Sequence, residues 1–380
     1  MIKINSPISV LEFGSTNIRL LVYDQLALNQ NLFYENKIKY SKDENFFNTD
    51  LLTNLIIKVE KDIDQHLNEI LLTIDVSSMH SLDFSMQKIY DKKIISNEDI
   101  DHLVNECKNL FKINNEDKEI LHTIKSEIIL DDKIIKNFEN ISQEASKVTI
   151  ELKFITVDKE ICDFLKDLFF KKHISLKKIF CASYIKSLGL INKIGISGYS
   201  SFIDIGLKKT SLSIFRENKL LYLNNIHIGG DHITKDISKV LKIDYRTAEA
   251  QKLKFSKNTK FDSESEKENL LKKIINSRLE EIIELLFLNC PLIKNKYFNS
   301  NLKLFFIGNG SKVLNENLLS FGPEFNFINE MSIIDEEKRG CCDSVIKFNA
   351  QIQKQNINKA FIYRENRGFF ERLFDYFVKK

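Results

Sequence analysis

With only 3 prolines and 12 glycines in 380 residues, the backbone has few obligatory breaks and each glycine cluster is informative. Cysteine is scarce as well. The 6 present (Cys107, Cys162, Cys181, Cys290, Cys341, Cys342) form no Cys-x-x-Cys pair, and vicinal Cys341 and Cys342 do not bridge easily. A reduced, cytosolic compartment is the expectation. No apolar run reaches the eighteen or so residues needed to span a bilayer, and no basic-then-apolar leader opens the chain. Charge of one sign is missing too: 56 basic residues against 53 acidic ones, interspersed, give nucleic-acid binding no support. The seven histidines show no metal-ligand spacing. The Walker-A pattern is absent, which excludes a P-loop enzyme. Gly195-Ile196-Ser197-Gly198 lacks the final glycine of a nucleophile elbow, because Tyr199 stands there.

What is present is 43% hydrophobic and 29% charged, enough for a large core in two medium domains or one split body. Residues 9–23 read as a β-hairpin: an apolar strand, the turn Glu12-Phe13-Gly14-Ser15-Thr16-Asn17, then Ile18, Leu20 and Val22 alternating. Residues 201–215 repeat it. A shift of 192 positions (12 to 204) lays Glu12 on Asp204, Gly14 on Gly206, Leu20 on Leu212 and Val22 on Ile214. Between the repeats, residues 53–68 have helical spacing, 70–76 read as a strand, and 82–154 as an α+β segment with a helix start at Ser96-Asn97-Glu98-Asp99. After the second repeat, helices are expected over 247–254 and 270–288. A third glycine element follows, in which the strand Leu304-Phe305-Phe306-Ile307 runs through Gly308-Asn309-Gly310 into a helix.

Two facing glycine turns suit a polyphosphate, because backbone N–H groups reach it where no Cβ intervenes. A carboxylate before each turn suits Mg²⁺, held through its waters, and Glu12 and Asp204 occupy those positions. Ser15, Thr16, Asn17 and Thr210 add hydroxyl or amide groups, and Gly308, Asn309 and Gly310 at a helix start would suit the nucleoside or α-phosphate.

This order of two acid-x-Gly hairpins and a late strand-glycine-helix resembles the actin-like ATPase superfamily, and within it the FtsA family of bacterial division proteins, over essentially the whole chain. Three stretches carry the FtsA resemblance: Leu11-Glu12-Phe13-Gly14-Ser15, the run from Gly229 and Gly230 to Ile237, and Ala248-Glu249-Ala250-Gln251-Lys252. Arg278 also fits a family pattern. The resemblance implies an α/β, actin-like (ribonuclease-H-like) two-lobed fold. Residues 1–81 and 155–195 would form the first lobe, 82–154 an FtsA-type insert, 196–222 and 292–348 the second-lobe core, and 223–291 its subdomain. ATP and Mg²⁺ are the implied cofactors, with Gly206, Gly229, Gly230, Glu249 and Lys252 also in the binding set. The implied partners are FtsZ, further copies of the chain, other division proteins and an anionic membrane. One departure stands out. The family's second turn carries three glycines, where this chain has Gly206-Leu207-Lys208-Lys209-Thr210. Lys208 could offset the loss as a point charge on phosphate, and at most a weak ATPase is expected.

Residues 349–367 are polar and read as a linker. Behind them, in 368–380, Phe369, Phe370, Leu373, Phe374, Phe377 and Val378 gather on one half of a helix with Arg372, Lys379 and Lys380 about them. That pattern suits a helix lying in the headgroup plane of an anionic membrane on the cytoplasmic side. Docking onto the protein's own body or a partner groove is the other reading of the tail. Two other functions stay open: an actin-fold kinase of a small metabolite, and a pilus-assembly platform of the same superfamily.

Overall fold

The computed structural model describes residues 7–14, 16–24, 32–39, 49–135, 138, 141–257, 266–294, 301–314, 325–335 and 339–353, with the backbone alone for 354–365. The chain opens with β1 (Pro7–Phe13), β2 (Asn17–Asp24), β3 (Leu32–Lys39), α1 (Thr49–Ile63) and β4 (Glu69–Ile74). It continues through β5 (His80–Ser96), α2 (Asn97–Asn114), β6 (Lys118–Leu130), β7 (Lys133–Ile134) and β8 (Ser142–Asp158). Then come α3 (Lys159–Phe170), β9 (Ser175–Cys181) and α4 (Ala182–Ile194). The second half holds β10 (Tyr199–Ile205), β11 (Thr210–Arg216), β12 (Lys219–Ile226), α5 (Gly230–Leu241), α6 (Tyr245–Lys257) and α7 (Glu266–Leu288). It ends with α8 (Pro291–Lys294), β13 (Leu302–Ile307), β14 (Ile328–Ile333) and α9 (Cys342–Glu365).

The internal repeat extends to whole sheets. One five-stranded sheet runs β3-β2-β1-β4-β9 and the other β12-β11-β10-β13-β14, each an antiparallel hairpin and third strand joined to two parallel strands. β1 and β10 are buried along nearly their whole length, so both faces of each strand are covered. α1 turns Leu52, Leu55, Ile56 and Val59 inward at helical spacing.

The second sheet uses its two faces differently. Phe202, Phe215 and Phe305 join the core of the first lobe, while Ile203, Ile205, Leu212, Ile214 and Phe306 build a separate core with α5 and α7. Tyr184 on α4 stacks on Phe215 at 6.1 Å, and Phe348 on α9 meets Tyr184 at 6.0 Å. α4 and α9 are thus the apolar weld between the lobes. α4 ends at Gly195, whose left-handed φ of 71° caps the helix.

The insert has its own core, formed by α2 against the four-stranded sheet β5-β8-β6-β7. α2 starts where its sequence indicates: Ser96 caps the Asp99 N–H while Asp99 accepts from the Ser96 N–H. The expected boundaries at 82 and 154 fall inside strands, because β5 and β8 each run 17 residues. Phe154 lies in the insert core, whereas Ile155 and Val157 lie in the first-lobe core. The polar stretch 349–367 also differs from its reading as a linker, since α9 continues to Glu365. Polarity does not end a helix. With no glycine or proline between Cys342 and Arg367, nothing in this stretch breaks one. The tail residues Phe369, Phe370, Leu373, Phe374, Phe377 and Val378 lie outside the described residues. Among the described residues no helix is long and apolar enough to cross a membrane.

Candidate functional site

The two hairpin turns share one geometry. The Gly14 N–H donates to the Asn17 carbonyl at 2.9 Å, and the Gly206 N–H donates to the Lys209 carbonyl at 2.9 Å. Across the strands Glu12 faces Arg19 and Asp204 faces Ser211, so the shift of 192 holds on both sides of each turn. Ser15 is outside the described residues, Thr16 is half-buried and accepts from Asn17 Nδ2, and Asn17 is buried.

Each of the two acids packs against a glycine that lines one small cavity. Lys186, Gly189, Gly308, Asp335, Gly340 and Ser344 line a space of about 30 Å³ between α4, α9 and the end of β13. A Cβ on Gly340, whose φ is +60°, would stand 2.1 Å from Glu12 Oε2, and one on Gly308, with φ +86°, would stand 2.3 Å from Asp204 Oδ1. Each carboxylate already holds a cation. Glu12, only 2% exposed, accepts from Arg19 Nη1 at 2.9 Å, and Asp204 pairs with Lys186 Nζ at 3.1 Å. The Cys342 thiol lies 3.9 Å from Glu12, and Cys341 reaches the Thr73 hydroxyl. Burial first, then the Glu12 charge, pushes both thiols well above their usual range, so they act as packed small residues.

The second-lobe glycines serve the second turn itself. The Gly230 N–H donates to the Gly206 carbonyl at 2.9 Å and the Asp231 N–H to the Leu207 carbonyl at 2.8 Å. A Cβ at Gly229 would sit 2.6 Å from the Gly206 oxygen, and one at Gly310 would sit 2.7 Å from the Ile205 oxygen. The first N–H groups of α5 therefore take up turn carbonyls. Lys252, one turn from Glu249, pairs with it at 2.7 Å and donates to the Gly230 carbonyl at 2.9 Å and the Thr234 hydroxyl at 2.7 Å. Thr210 donates to the Ile228 carbonyl, and Arg278 ties α7 to α5 through Asp236. Gly308 and exposed Asn309 open a five-residue 3-10 turn, Asn309–Val313, shorter than the helix expected there. The rigid single turn follows from packing Gly308 and Gly310 onto Ile205.

Lys208, read as the phosphate-facing lysine, is exposed at the turn's tip. Its neighbour Lys209 is buried and crosses to the first lobe, where its ammonium meets Asp75 at 2.6 Å and the Val76 carbonyl at 3.2 Å. Lys186, Lys209, Asp75 and Gly340 were not singled out by sequence reasoning. For Lys209 the signal was present, since a four-residue turn closing on Gly206 places residue 209, not 208, at the strand's base.

These residues do not fit a magnesium–triphosphate complex as they stand. Both carboxylates are neutralised by side chains of the chain itself, and a 30 Å³ cavity has room for a water or two. Ligand pockets usually measure hundreds of Å³. Among the described residues no three His, Cys, Asp or Glu side chains group as a metal site.

The sequence model of the family described as "Cell division protein FtsA" matches residues 201–314, the segment that holds the second turn, α5, α6, α7 and β13. That segment is similar in sequence to FtsA. FtsA of Streptococcus pneumoniae serotype 2 is 24% identical over 213 residues, covering 51% of this chain and 45% of that protein. FtsA of Agrobacterium fabrum is 24% identical over 140 residues, covering 37% and 31%. The matches thus span less than half the length of these FtsA proteins. Among solved structures, a chain of the PilM-PilN type IV pilus biogenesis complex aligns with a TM-score of 0.55 at 13% identity, over 85% of this chain and 87% of that one. MreB5 of Spiroplasma citri bound to ADP aligns at 0.51 and 14% identity, over 93% and 99%. The fold is actin-like.

Proposed function

We propose that this protein is a division scaffold of the FtsA type, which ties an FtsZ ring to the cytoplasmic face of the inner membrane and helps recruit the septal machinery. The observation that carries this reading is the FtsA match over residues 201–314, joined to an actin-like body with an insert between β4 and β9. The likeness to PilM is one of fold at 13% identity and does not favour a pilus role. The membrane contact would be residues 368–380, whose six large apolar residues would fall on one half of a helix with Arg372, Lys379 and Lys380 about them. Each buried side chain contributes at most ~1.5–3 kcal/mol, less the cost of ordering the helix, so one tail binds reversibly. Copies of the body joined end to end would place many tails on one surface, and avidity would make the attachment firm.

Co-sedimentation with anionic liposomes tests this directly. The full chain should pellet and should carry FtsZ with it, while a chain ending at Arg367 should stay in the supernatant. Undiminished pelleting of the shortened chain would remove the tail as anchor. Pelleting without any retention of FtsZ would remove the division role.

A further inference from the structure

The cleft between the lobes is where the actin-like resemblance implies a nucleotide with its metal. Here the same place is filled with internal ion pairs. Three carboxylates (Glu12, Asp75, Asp204) are each paired with a cation of the chain itself (Arg19, Lys209, Lys186). Two of the pairs also join separate parts of the chain. Lys209 stands on the turn between β10 and β11 and reaches Asp75, just beyond β4, with a second bond to the Val76 carbonyl. Lys186 reaches from α4 to Asp204 at the end of β10.

We propose that the interlobe cleft of this protein is closed by its own cations, Lys209 on Asp75 and Lys186 on Asp204, which take the place of a nucleotide–metal complex, so that the lobes keep their arrangement without nucleotide. Three further observations support this. Leu207 and Lys208 replace the glycines that would let phosphate approach the second turn. The glycines that remain, at 206, 229, 230, 308 and 310, are spent on contacts within the protein or on hydrogen bonds to the turn. Neutral contacts add to the closure: the Ser187 hydroxyl on α4 and the Ser213 hydroxyl on β11 lie 2.8 Å apart, and Ser81 on β5 exchanges hydrogen bonds with the Leu223 backbone on β12. A buried cation deprived of its carboxylate is strongly unfavourable, so opening the cleft for a ligand requires replacements for both pairs at once.

The proposal stands whether or not the tail binds membrane or FtsZ, and its test uses neither. The full chain is titrated with MgATP in a calorimeter and melted with and without it. No saturable heat is expected up to about 1 mM, and no rise in melting temperature. Lys209→Ala and Asp75→Ala should each lower the melting temperature by about 2–4 °C, the double variant should fall no further than the worse single one, and Lys209→Arg should recover part of the loss. Saturable MgATP binding by the unaltered chain, with a matching rise in melting temperature, would overturn the proposal. So would strictly additive effects of the two alanine variants, since independent residues do not form a lock.

Discussion

His122 offers the sharpest test of how the insert is coupled to the hinge between the lobes. It lies on β6 with its ring among Tyr184 (4.9 Å), Phe180 (5.8 Å) and Phe348 (6.0 Å). Its Nε2 accepts the backbone N–H of Cys181, the residue that precedes α4, at 3.0 Å. The ring must therefore be neutral with its proton on Nδ1. Burial, and after it the nearby Lys178 ammonium, hold the imidazole down at about 3. An unfolded histidine titrates near ~6.5. Between the two values the unfolded chain binds more protons, so the contribution of His122 to stability is complete above the unfolded value and is lost as pH falls toward the folded one. At pH of about 4.5 the loss amounts to ~3 kcal/mol, within a ceiling of roughly 5 kcal/mol. His122→Gln keeps an acceptor for Cys181 but removes the titration. Urea melts near neutrality and at about pH 4.5 should show the variant ~1–2 kcal/mol less stable when neutral, yet losing ~3 kcal/mol less than the parent on acidification. Equal acid losses for the two proteins would refute the argument, because every other titrating group is common to both.

Gly229→Ala places a methyl 2.6 Å from the Gly206 oxygen, a backbone atom with nowhere to go. A loss of about 1–3 kcal/mol in a urea melt is expected, and an unchanged melt would mean that the α5 start does not hold the second turn. Asp158, where β8 hands over to α3, is held below the usual carboxylate range chiefly by its hydrogen bond from Lys118. Its stabilisation is present above the unfolded value of ~3.9 and disappears as pH falls through the lower folded value. Lys118→Ala should flatten the acid limb of the stability profile below about pH 4, and an identical limb would exclude the pair as a contributor.

Much of the architecture is readable from residues alone because it rests on local rules. Ser96 and Asp99 announce α2 by a capping box, and the acid-x-Gly pattern at a shift of 192 reports two hairpins of equal register. Other features depend on partners far away in the chain. That Asp204 meets Lys186 and that Lys209 meets Asp75 follows from how α4 and β4 cross the second turn, which no spacing encodes. The stretch after Asn349 misleads for a different reason. Its largely polar composition speaks to burial, whereas the absence of glycine and proline leaves helix formation there unopposed.

The glycines show most clearly what composition leaves undecided. A glycine beside a turn permits close approach, but by a ligand or by another stretch of the same backbone, and the sequence looks alike in both cases. At Gly229, Gly308 and Gly310 the approaching atoms are the carbonyl oxygens of Gly206 and Ile205 and the carboxylate of Asp204. The second turn is thereby held by α5 at Gly206 and Leu207 and by the 3-10 turn after β13 at Asp204 and Ile205, with Lys209 reaching across to Asp75. A turn packed in this way gains its rigidity from the fold. For the scaffold proposed above, a closure that needs no ligand would leave control of its assembly to something other than occupancy of the cleft. The density of tails on a lipid surface is one such variable, because attachment by many weak anchors rises steeply with their number.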